Sequence, residues 1–437
     1  MKQLSRKDIV VIGFMLFALF FGAGNLIFPP FLGQEAGHQF WVAIIGFIIT
    51  GVGLPIIAII AISSVKGGVR AITDRVHPIF GLVFTIILYL MIGPFMGIPR
   101  GANVAFEMGI SPFLPSLTKG ALIIFSVFFF TLVYVLSLNP SKLVDRIGIV
   151  LTPFLLGAIA LIGVGGILNL EFPKVNAISS KYAQSPFFTG FMEGYLTMDT
   201  IGALAFGIVI ITSIKSKGMT SQKEIVQTTA KAGIIAGIGL AVVYVVIGLI
   251  GVKMTSVGTF ENGGDILTNA ANQLYGTPGM ILLGLTVAVA CFTTCVGLVT
   301  ACSQYFLTLW PTISYKYMTL LLTLLSALIA NIGLNEIISL SIPVLTVIYP
   351  LTIVLIVLTF LHSLFGGSSI VYISALIGTG LVSIYDGLKE IGIVQGAQLL
   401  HYLPLYESGL GWSLPAVVGG AIGWILSRKS NTKGIKE

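Results

Sequence analysis

Apolar side chains fall in runs of about 20 residues, and polar and charged residues sit in short clusters between them. A helix of that length crosses the hydrocarbon core of a bilayer. The runs predict about twelve helices, near 8–30, 40–63, 78–103, 120–138, 147–168, 187–213, 230–252, 278–308, 317–334, 337–361, 369–386 and 412–427. A membrane β-barrel would show short alternating segments instead, and the sequence has no such pattern. The expected fold class is an all-α polytopic membrane protein.

The connecting charges agree with this division. Lys2, Arg6, Lys7, Lys66, Arg70, Arg75, Lys142, Arg146, Lys215, Lys217, Lys223, Lys231, Lys316, Arg428, Lys429, Lys433 and Lys436 all fall on one side. The other side holds Arg100, Lys119, Lys174, Lys181, Lys253 and Lys389. Basic residues mark the cytoplasmic side, so both termini are expected there. MKQLSRK followed by an apolar run and GAG has the shape of a signal peptide. The apolar character continues through Leu26, Ile27 and Phe28, so the segment reads as a retained first helix. Residues 1–427 form one transmembrane domain, and 428–437 form a cytoplasmic tail. The loops near 168–187, 253–277 and 387–411 are too short for an appended soluble domain.

Composition excludes a soluble protein. Of 437 residues, 56% are hydrophobic and 9% charged, against about 25% charged in soluble domains. The net charge of +7 is scattered between apolar runs and forms no nucleic-acid-binding patch. Cys291, Cys295 and Cys302 lie in one apolar run, without histidine or carboxylate beside them, and read as packing residues. His38, His77, His362 and His401 are dispersed and form no ligand cluster. No catalytic cluster, organic cofactor motif or obligatory protein partner is apparent.

Two apolar runs are interrupted. The first carries FFGAGNLIFPP, residues 20–30, and the sixth carries GFMEGYLTMDTIGALAFG, residues 190–207. Broken helix is tolerated at membrane depth only where it is buried in protein or lines a cavity. The two breaks lie five helices apart, an odd number. That fits two five-helix repeats of opposite orientation, at about 8–168 and 187–361, followed by two extra helices at about 369–427. Matching breaks in inverted halves are the sequence pointer to a secondary transporter's binding site. Half-helix ends offer amides to an anion and carbonyls to a cation, which suits an amino acid and a small monovalent ion.

Pro29 and Pro30 are expected to end the outer half of helix 1. Asp199 is the one carboxylate placed deep within a span, where such residues are costly and usually functional. It is a candidate for holding a cation, an ammonium group or a proton, or for pairing with Arg100. Glu193 is placed near the outer end of helix 6, where it is either functional or simply a residue that reaches water. GPFMGIPRGANVAFE in helix 3 places Arg100 at a kinked helix end, and Arg100 and Glu193 are the candidate gating residues. In helix 8, Ala290, Thr293 and Thr294 combine a carbonyl and two hydroxyls within one turn. Threonine can also bond back to its own helix.

FALFFGAGNLIFPPFLG, GPFMGIPRGANVAFE and EGYLTMDTIGALAFG resemble the bacterial branched-chain amino acid:cation symporters, of the amino acid–polyamine–cation superfamily. The resemblance covers essentially the whole chain. It implies the five-plus-five inverted-repeat fold in a bacterial inner membrane. It also implies a helix 1 motif, Gly-x-Gly-Asn followed by Phe-Pro. Gly22-Ala23-Gly24-Asn25 fits that motif, and Phe28-Pro29 follows one residue early.

On this match, amides around Gly22, Ala23 and Gly24 hold the substrate carboxylate, with Asn25 beside them. Carbonyls of Ala18 and Phe21 face Ala290, Thr293 and Thr294 to form a sodium site. Tyr195, Leu196, Thr197 and Asp199 occupy the unwound part of helix 6. Many relatives carry a neutral hydroxyl residue where Asp199 stands. The implied activity is sodium-driven import of leucine, isoleucine and valine, with no covalent chemistry. The rivals are a proton-coupled carrier using Asp199 or Glu193 and a sensor that does not transport.

Overall fold

The computed structural model describes residues 5–114, 119–139, 151–173, 178–394, 396 and 398–433. Lys2, Lys142, Arg146, Lys174 and Lys436, and the expected start of the fifth span at 147–150, lie outside these residues.

The described residues are helical and contain no strand. The first span is two helices, α1 (Arg6–Phe20) and α2 (Ala23–Ala36). The second is α3 (Phe40–Ile48), an opened π-helical turn at Ile49–Gly53, and α4 (Leu54–Ser64). A short α5 (Gly68–Thr73) leads to the third, made of α6 (Pro78–Leu90), a π-helical turn at Met91–Phe95, and α7 (Gly97–Gly109). Then come α8 (Lys119–Ser137), α9 (Thr152–Asn169) and the single turn α10 (Ser180–Ala183). The sixth span is α11 (Pro186–Glu193), a 3-10 turn at Gly194–Thr197, and α12 (Asp199–Ser216). The remainder are α13 (Gln222–Met254), α14 (Gly263–Leu309), α15 (Tyr315–Ala330), α16 (Leu334–Leu361), α17 (Ser369–Glu390) and α18 (Ser413–Lys433). Nine helical stretches among the described residues are long and apolar enough to cross a membrane.

The chain divides into two compact units, residues 1–60 with 89–338, and residues 61–88 with 339–437. Within the first unit α14 packs along α7, α13 along α2, and α3 along α11. Within the second unit α17 packs on α18. There Tyr372 Oη accepts from Arg75 Nη1 at 3.1 Å, donates to the Leu358 carbonyl at 3.1 Å and lies 2.9 Å from His362 Nδ1.

Three expectations are corrected. Pro29 and Pro30 do not end a half-helix, because α2 runs through them to Ala36. Proline removes its own amide from the ladder, but tertiary packing holds the helix on course. A Cβ added at Gly251 of α13 would sit 1.9 Å from the Pro30 carbonyl oxygen, so the two backbones meet directly. The segment 253–277 is not all loop. Asn262 caps the start of α14 by accepting from the Asp265 amide at 3.0 Å, and the helix kinks only at Gly276, where φ is 61°. Finally, the third span continues to Gly109, so Arg100 lies inside it rather than at its end.

Candidate functional site

The helix 1 break is local. α1 ends at Phe20, Phe21 takes φ −72° and ψ 88°, and Gly22 is extended before α2 begins at Ala23. Asn25 braces the break from within, because its Oδ1 accepts from the Gly22 amide at 3.1 Å. The helix 6 break turns on Met198, a non-glycine residue at φ 67° in the left-handed region. Strain of this kind persists only where surrounding contacts impose it. α12 then starts at Asp199, whose carboxylate sits at the positive end of the helix dipole.

The two breaks meet in the first unit. Asn25 Nδ2 donates to Asp199 Oδ2 at 2.5 Å and also to Tyr244 Oη. Tyr244 Oη donates to the same Asp199 oxygen at 3.2 Å. The three side chains are 1%, 6% and 0% exposed for Asn25, Asp199 and Tyr244, so this is a buried polar network. Thr197 Oγ1 accepts from the Asp199 amide at 3.4 Å and donates to the Gly194 carbonyl at 2.9 Å.

Arg100 is buried, and its guanidinium crosses to the helix 6 break. It donates to the Leu196 carbonyl at 2.7 Å and the Thr197 carbonyl at 3.0 Å. Its Cζ lies 5.7 Å from the centre of the Phe28 ring. Asp199 thus meets Asn25 and Tyr244, while Arg100 binds the carbonyls of the turn just before it. Gly24 is needed where these groups converge, since a Cβ there would lie 2.9 Å from Arg100 Nη2 and 2.9 Å from Thr197 Cα.

Glu193 is also corrected. It is buried, and Lys181 of α10 donates to its Oε1 at 2.5 Å. The same short strap is tied to α2, because the Ser179 amide donates to the Glu35 carbonyl at 3.0 Å.

The oxygens expected to hold an ion are brought together. Thr294 Oγ1 lies 3.3 Å from the Ala18 carbonyl and 3.4 Å from that of Phe21. Thr293 Oγ1 lies 3.4 Å from the Ala18 carbonyl and donates back to Ala290 in its own helix at 2.9 Å. A hydroxyl has one proton, so Thr294 donates to one carbonyl at a time while its lone pairs remain able to face a cation.

Gly22, Ala23, Gly24, Asn25, Thr197 and Asp199 all line one cavity of about 30 Å³, together with Arg100 and Thr294. Tyr195 and Leu196 lie on the 3-10 turn behind that wall. The cavity has room for a water or two, so a larger ligand enters only if the walls part. Sequence reasoning missed Tyr244 and Lys181. A hydroxyl-bearing ring inside the run VVYVVIGL is a signal for the first, since a buried tyrosine needs a partner. Nothing in the sequence points to the second, because the pairing depends on how the strap docks.

A family model described as "Branched-chain amino acid transport protein" matches residues 5–430. The chain is 48% identical to the branched-chain amino acid permease BrnQ of Bacillus subtilis over 98% of both chains. It is 47% identical to the permease BraB of that organism, over 97% of this chain and 96% of BraB. It is 41% identical to the branched-chain amino acid transport system 2 carrier protein of Pseudomonas aeruginosa, over 98% of both. Among solved structures, it resembles Mhp1, a nucleobase-cation-symport-1 family transporter in a closed conformation, with a TM-score of 0.62 at 12% identity over 97% of this chain and 93% of that one. The manganese transporter of Eremococcus coleocola gives 0.58 at 14% identity over 96% and 95%. At such identities these likenesses establish a shared transporter fold.

Proposed function

Because the chain belongs to the branched-chain amino acid transport protein family, we propose that it imports leucine, isoleucine and valine by sodium symport. It would do so as a multi-pass protein of the bacterial inner membrane, with both termini cytoplasmic and its two five-helix repeats inverted. The observation that carries the sodium reading is the oxygen set of Ala18, Phe21, Ala290, Thr293 and Thr294. Carbonyl and hydroxyl oxygens without sulfur or nitrogen suit a hard cation.

In this reading the substrate carboxylate meets the amides at the start of α2, around Ala23 and Gly24. The ammonium meets Asp199, which is oriented by Asn25 and Tyr244. An ion bridging α1 and α14 ties the helix 1 break to the scaffold, so ion and substrate favour the same state of that break. Linkage then makes each raise the other's affinity. The membrane potential adds about 2.3 kcal/mol per charge per 100 mV.

The test is uptake of labelled leucine by the purified protein in proteoliposomes, under a sodium gradient or a proton gradient. Accumulation with sodium alone is expected. Accumulation with the proton gradient alone would move the coupling to Asp199, a buried carboxylate able to carry a proton, or to Glu193. Saturable leucine binding without uptake under either gradient would make the protein a sensor.

A further inference from the structure

We propose that Gly202 sets the size limit for the substrate side chain, in an apolar compartment that it forms with Ile92 and Phe206. The inference rests on reading the cavity between the two breaks as the amino acid site.

Polar Asn25, Thr197 and Asp199 and apolar Ile92, Gly202 and Phe206 all line that cavity. Gly202 follows Asp199 by three residues on α12, so it lies one turn further along the same face. Phe206 lies one turn beyond Gly202. A substrate with its ammonium at Asp199 therefore lays its alkyl group along Gly202 toward the Phe206 ring. Ile92 comes from the opened turn of the third span, the kind of distortion that recurs at functional sites.

The glycines of the wall differ in what their missing side chains admit. A Cβ would meet Thr294 Oγ1 at 2.9 Å from Gly22, Arg100 Nη2 at 2.9 Å from Gly24, the Ile92 carbonyl at 2.0 Å from Gly97 and Cys295 Sγ at 2.6 Å from Gly101. Those glycines let protein groups approach. At Gly202 the nearest atoms would be Phe206 Cε2 at 3.5 Å and Ile92 Cδ1 at 3.9 Å, which are ordinary contacts. A methyl group is accommodated there without displacing protein, and it occupies the space between Ile92 and Phe206. Gly202 thus leaves its volume to the compartment rather than to a packing neighbour.

The experiment measures kcat/KM for leucine, isoleucine, valine and 2-aminobutyrate in proteoliposomes. Gly202→Ala is expected to lower the ratio of leucine to 2-aminobutyrate about tenfold, since one methylene in an apolar pocket discriminates by roughly 10- to 200-fold. Ile92→Ala is expected to move the same ratio the opposite way. The double variant is expected to recover the leucine preference to within a few-fold of the parent. A structural defect would lower all four substrates together and would not be rescued. An unchanged ratio in Gly202→Ala, or a double variant no better than the single one, overturns the proposal. If the parent protein transports none of the four, the underlying transporter reading falls, and the size limit with it.

Discussion

Asn25 of α2 and Asp199 of α12 are 174 residues apart in sequence and 2.5 Å apart in space, amide donating to carboxylate. Each belongs to one of the two broken helices, so this hydrogen bond joins the breaks directly. Tyr244 of α13 seals it from a third side.

Asp199→Asn keeps the shape and removes the charge. Removing the charge that is proposed to pair with the substrate ammonium cuts one partner of a buried charged pair, which costs about 2–5 kcal/mol. Leucine counterflow is expected to fall by roughly thirtyfold or more, in protein that still inserts and purifies normally. Parental affinity and rate would reduce Asp199 to a packing role.

Tyr244→Phe deletes one hydroxyl from the network and leaves the ring against Phe47, 5.4 Å away between centroids. The loss of about 1 kcal/mol is expected to raise the leucine KM several-fold without altering the sodium requirement. Parallel titrations of leucine and sodium separate the two effects.

Thr294→Ala removes the hydroxyl facing Ala18 and Phe21. Half-maximal sodium is expected to rise, while leucine affinity at saturating sodium changes little. An unaltered sodium curve would sink the assignment of these oxygens to the ion.

Gly251→Ala tests packing away from the site. Its Cβ would stand 1.9 Å from the Pro30 carbonyl oxygen, and backbone cannot swing aside as a side chain can. Overpacking of this kind costs about 1–3 kcal/mol. A lower melting temperature in detergent is expected, with the preference among leucine, isoleucine and valine unchanged.

Much of the site was legible in the sequence. Gly22, Gly24 and Asn25 stood out because they spoil an apolar run, and Asp199 because a carboxylate there is costly. Ala290, Thr293 and Thr294 were visible as a carbonyl and two hydroxyls within one turn. Arg100 and Glu193 were legible as charged residues, but their surroundings were not. One lies against the carbonyls of Leu196 and Thr197, and the other under Lys181. The two prolines were misread because local propensity says where a ladder bond is missing, not whether a neighbouring helix holds the turn.

Sequence by itself determined the helical membrane class, the position of most spans and the two breaks. These follow from lengths and chemistry along one chain, set by the bilayer's thickness and by the need to satisfy every amide within it. Tertiary structure alone decided that the breaks touch, that Tyr244 completes their network, and that a Cβ at Gly202 would make only ordinary contacts while one at Gly24 or Gly97 would collide with protein. Those facts depend on how helices remote in sequence approach one another. Steric fit between distant side chains settles that approach, and it leaves no periodic trace in the sequence.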